Sequence, residues 1–107
     1  MKRKGIDTLL DLLDGSFIAY ENDKFFIRVS ARYNDPDFDY FAIGSSKDEY
    51  NCEYFSVLSE IVDAIMYIKE LDNDISEYEL RIINKYLEDL KKRFIDDNKL
   101  PYFYHLF

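Results

Sequence analysis

The groups able to do covalent chemistry in this chain are sparse: one cysteine, Cys52, and one histidine, His105, in 107 residues. A nucleophilic Ser or Cys needs a base beside it. His105 stands in the apolar stretch Tyr102-Phe103-Tyr104-His105-Leu106-Phe107 and reads as a surface or docking residue. Cys52 reads as a small, half-buried filler at a strand-to-helix junction. A single cysteine rules out an internal disulfide and any multi-cysteine metal site.

Carboxylates are the abundant groups, and one run of them, Asp35-Pro36-Asp37-Phe38-Asp39, is spaced like the start of a calcium loop. Such a loop also needs Gly at its sixth position and Glu at its twelfth, where this chain has Tyr40 and Ser46. There is no glycine-rich phosphate loop and no His/carboxylate spacing suited to zinc or iron. Paired carboxylates can serve as acid and base in glycosidases, but nothing in the pattern marks a cleft around a pair. These residue types therefore predict a non-catalytic protein with no metal and no cofactor, acting by recognition.

The acids are unevenly placed. The net charge is −8, yet Asp35 to Glu79 holds thirteen acids against Lys47 and Lys69, a local −11, while residues 1–34 carry +1 and residues 80–107 carry +2. Phosphate affinity comes from clustered Lys and Arg, so direct nucleic-acid binding is disfavoured and a basic protein partner is favoured.

Several elements must position these acids. At 48% hydrophobic and 34% charged, the chain has enough apolar side chains for one core, and its length suits a single domain spanning residues 1–107. Ile6, Leu9, Leu10 and Leu13 make one helical stripe in a short helix over residues 1–14, ended by Gly15. A β-meander is predicted over 16–44. It turns at Asn22-Asp23, which sets Glu21 opposite Lys24, Tyr20 opposite Phe25 and Ile18 opposite Ile27. It turns again at Asn34-Asp35-Pro36-Asp37, with Tyr33 opposite Phe38 and Arg32 opposite Asp39.

Two helices are predicted over 53–97. The first, about Glu53 to Leu71, buries Leu58, Ile61, Val62, Ile65 and Ile68. The second opens on a capping box, Ser76 with Glu79, and buries Leu80, Ile83, Leu87, Leu90 and Phe94. On its exposed side Glu77–Arg81, Glu88–Lys92 and Asp89–Arg93 are spaced as i, i+4 ion pairs. Asn98 to Pro101 stops that helix, and residues 98–107 form an aromatic tail too apolar to be left in water. The fold class is α+β, order αβββαα, a three-stranded antiparallel sheet packed on helices in two layers. The other sheet face would then carry Phe17, Ala19, Phe26, Phe41 and Ile43, to be covered by the tail, by a second subunit or by a ligand.

On the first long helix, Ser56, Glu60, Asp63, Tyr67 and Glu70 share the face opposite the buried stripe, and Asp72, Asp74, Glu77 and Glu79 continue it around the turn. The last helix interleaves its acids with bases; this segment does not, and like charges so spaced repel. Glu60, Asp63, Tyr67, Glu70, Asp72, Asp74 and Glu77 are the candidate partner-binding residues. Rows of carboxylates about 5–6 Å apart approximate a phosphate backbone.

The order αβββαα, the acidic bias and the segment Lys24-Phe25-Phe26-Ile27-Arg28-Val29, followed by a hairpin and two acidic helices, resemble the small phage-encoded anti-CRISPR inhibitors of Cas nucleases. That resemblance implies a DNA mimic competing for a basic nuclease channel through residues such as Glu60, Asp63, Glu70, Asp72 and Asp74. An antitoxin or immunity protein neutralising a cognate toxin is the rival expectation. A homodimeric regulatory module, pairing around Phe26, Phe41 and Phe103, is a third. No run approaches a membrane span or a signal peptide, so a cytoplasmic monomer or homodimer is expected, its own cell's or a host's.

Overall fold

The computed structural model describes residues 16–30 and 36–101. The expected helix over 1–14, the Tyr33–Phe38 and Arg32–Asp39 pairings, and the tail from Tyr102 onward, His105 and Phe103 included, lie outside the described residues.

The architecture is α+β, with four antiparallel strands followed by two helices. The strands are β1 (Ser16–Glu21), β2 (Phe25–Ser30), β3 (Tyr40–Ser45) and β4 (Asp48–Ser56); the helices are α1 (Ile61–Leu71) and α2 (Glu77–Asp97). The sheet order is β1-β2-β3-β4, so each strand pairs with its neighbour in sequence. Three strands were expected; the fourth, β4, takes the unassigned stretch from Asp48 and the first residues, Glu53 to Ser56, of the expected long helix. Its residues alternate like a strand. Tyr54 and Cys52 fall on one face and Phe55 on the other, and a tight turn at Ser46-Lys47 folds it back on β3.

The first hairpin also differs in register. Asn22 closes it, its N–H donating to the Phe25 carbonyl at 3.0 Å while its Oδ1 accepts the N–H groups of Lys24 and Phe25 at 2.8 and 3.0 Å. The turn therefore sits one residue later than expected, at Asp23-Lys24. Glu21 lies opposite Phe26, Tyr20 opposite Ile27 and Ile18 opposite Arg28, with an irregularity between Ile18 and Tyr20. Across β2 and β3, Ile27 pairs with Ile43 and Val29 with Phe41, one residue away from the register that a Tyr33–Phe38 pair would impose. A one-residue slip moves every side chain to the opposite face, and the consequence is visible. Phe41 and Ile43, expected outside, are fully buried under the helices with Phe25, Ile27, Val29 and Phe55. Ala19 packs against that same core, and Phe17 lies opposite Val29 on the helix side.

The outer face is instead built by Phe26, Tyr40, Ala42, Cys52 and Tyr54, all buried. Gly44 sits between Phe26 and Cys52 in the register, and the Phe26 ring lies on it: a Cβ there would meet Phe26 Cζ at 2.7 Å. Cys52 is thus a core residue in mid-strand, not a half-buried junction residue.

The helices cover the inner face. α1 buries Ile61, Ala64 and Ile68, and α2 buries Ile83, Leu87, Leu90, Lys91, Phe94 and Ile95. Val62, expected in the buried stripe, faces solvent. Ser76 caps α2 as expected, its Oγ accepting the Glu79 N–H at 3.1 Å. The expected return bond from the Ser76 N–H to the Glu79 carboxylate is not formed: Glu79 Oε2 accepts a hydrogen bond from Asn22 Nδ2 at 3.1 Å instead, tying α2 to the first hairpin. Along α2, Lys85 and Asp89 close an i, i+4 ion pair at 3.5 Å, which was not among the three expected. At its end, Lys99 takes a left-handed φ of 53°. The Lys99 and Leu100 N–H groups bond back to the Asp96 and Ile95 carbonyls at 3.2 and 3.0 Å, a Schellman stop.

Candidate partner-binding face

The seven candidate residues do not all reach one surface. Glu60 is only 5% exposed. It is the residue before α1, and its Oε1 accepts the Ser56 N–H at 2.8 Å while its backbone begins the helix. The physical reason is the strand: because β4 runs to Ser56, the chain must reverse into α1 within four residues, and the Glu60 carboxylate stitches that corner. Asp39 joins from the other side, its Oδ2 accepting the Ser56 hydroxyl at 3.2 Å. These two carboxylates line a pocket of about 290 Å³ together with Tyr40, Tyr54, Ser56 and Ser59. Glu60 is therefore removed from the contact surface and placed in the β4–α1 corner.

Tyr67 is half-buried, its ring 5.9 Å from that of Phe55 on β4. Burial pushes its hydroxyl above the usual tyrosine range, and the nearby Glu53, Cys52 and Glu70 push in the same direction. The ring is thus an anchor between α1 and the sheet with its polar end in a negative field. Asp72 is also half-buried; its carboxylate accepts the Asp74 N–H at 3.3 Å and its carbonyl accepts the Ile75 N–H at 3.2 Å, closing the interhelix turn.

Asp63, Glu70, Asp74 and Glu77 are the four that stand exposed. Asp63 and Glu70 are seven residues apart, hence on one side of α1 and about 10 Å apart along its axis; Asp74 and Glu77 carry the charge around the turn into α2. From Ile61 to Glu79 the single base is Lys69, in the last turn of α1. Exposed Val62 and Met66 lie on the same helix among these charges. Sequence reasoning put Val62 inward and passed over Met66, although the apolar run Ile61 to Leu71 leaves too little polar surface for an ordinary outer helix.

The arrangement presents negative charge from α1 and the turn that follows it. Among the described residues no group of three or more His, Cys, Asp or Glu is placed to hold a metal ion, and no helix is long and apolar enough to cross a membrane. Phe26 and Phe41, the proposed centre of a homodimer, are 3% and 0% exposed and offer no surface to a second copy. Comparison with protein-family models, with curated proteins and with solved structures finds no match to this chain.

Proposed function

We propose that this protein is a non-catalytic inhibitor from a phage or mobile element. On this reading it blocks a basic, nucleic-acid-handling protein by presenting its acidic face where the nucleic acid would lie. The observation that carries this reading is the unbroken exposure of Asp63, Glu70, Asp74 and Glu77, with Lys69 the one base between Ile61 and Glu79. A face of one sign attracts a basic groove over distance and raises the rate of encounter. The buried sheet beneath it keeps the charges at fixed spacing, which a groove shaped for phosphates requires. The partner class that the anti-CRISPR resemblance implies, a Cas nuclease, fits this chemistry.

The test reverses the exposed charges. Asp63→Lys, Glu70→Lys and Asp74→Lys together leave the core untouched, so folding measured by circular dichroism should be retained. Affinity for the partner should fall about a hundredfold or more, as expected when a steering field is inverted. A partner that binds the folded triple variant as tightly as the native protein would refute the proposal. The identity of the captured protein also separates the rival: a toxin of the same cell, in place of a nucleic-acid-binding protein, would make this an antitoxin.

A further inference from the structure

We draw no further inference here: the strongest candidate, the pocket of about 290 Å³ at the β4–α1 corner where Asp39 and Glu60 both accept hydrogen bonds from Ser56, is an acidic pair already engaged in closing that corner, with no second observation that points to a ligand.

Discussion

Tyr67 couples the fold to pH at the alkaline end. Its hydroxyl is held above the ordinary value of 10.0, first by burial and then by Glu53, Cys52 and Glu70. The folded state therefore keeps the proton more tightly than the unfolded chain. Its stabilising effect is full below about pH 10 and is lost as pH rises through the raised value. Tyr86 acts in the same direction through burial, opposed by Arg93. The expected outcome is that Tyr67→Phe flattens the fall of melting temperature above pH 10, and Tyr67→Phe/Tyr86→Phe flattens it further. A second residue-scale expectation concerns Gly44. A methyl there meets Phe26 Cζ at 2.7 Å and Cys52 Sγ at 3.0 Å, so Gly44→Ala should cost about 1–3 kcal/mol in urea unfolding, the usual penalty of overpacking. Shortening the ring by Phe26→Leu in the same chain should recover part of it.

Elements were legible where a periodic pattern had punctuation. α2 was readable from Ser76 to Asn98 because a capping residue, a three-four apolar spacing and a stop signal all agreed. Its end can be improved: Lys99 pays for its left-handed backbone, and Lys99→Gly should raise stability by up to about 1 kcal/mol. Ser76→Ala should lower it by about 1 kcal/mol through loss of the cap. β4 was illegible for a specific reason. Between Glu53 and Leu71 the spacing Leu58, Ile61, Val62, Ile65, Ile68 is helical, and only the four residues 57–60 separate strand from helix. The Ser56–Glu60 hydrogen bond that makes the corner spans only four residues, but that spacing is also the helical one, so the pattern puts Glu60 on a helix surface. The same limit holds for the sheet registers: the irregularity between Ile18 and Tyr20, and the pairing of Val29 with Phe41, exchange which aromatics face the helices. Glu60→Ala should therefore destabilise the fold by about 1–3 kcal/mol by leaving the Ser56 N–H unsatisfied, whereas Asp63→Ala should change it little.

At the scale of the whole molecule, the acidic belt read from composition becomes a smaller and better-defined face. Of the seven candidate residues, one is folded into a corner, two brace α1 and its turn, and four remain exposed. Exposed Val62 and Met66 stand among them, which the charge count alone could not reveal. On the proposed function, these exposed carboxylates hold a basic nucleic-acid-binding protein. The most direct test of that claim is parallel capture, from phage-infected host lysate, by the native protein and by the folded Asp63→Lys/Glu70→Lys/Asp74→Lys variant. Captured proteins are quantified by mass spectrometry, and the purified partner is then assayed for release of labelled DNA. The expected outcome is a nucleic-acid-binding protein that is retained by the native chain, lost by the variant, and stripped of its DNA as the native chain is added. A partner retained equally by both chains, or one that keeps its DNA throughout, would contradict it.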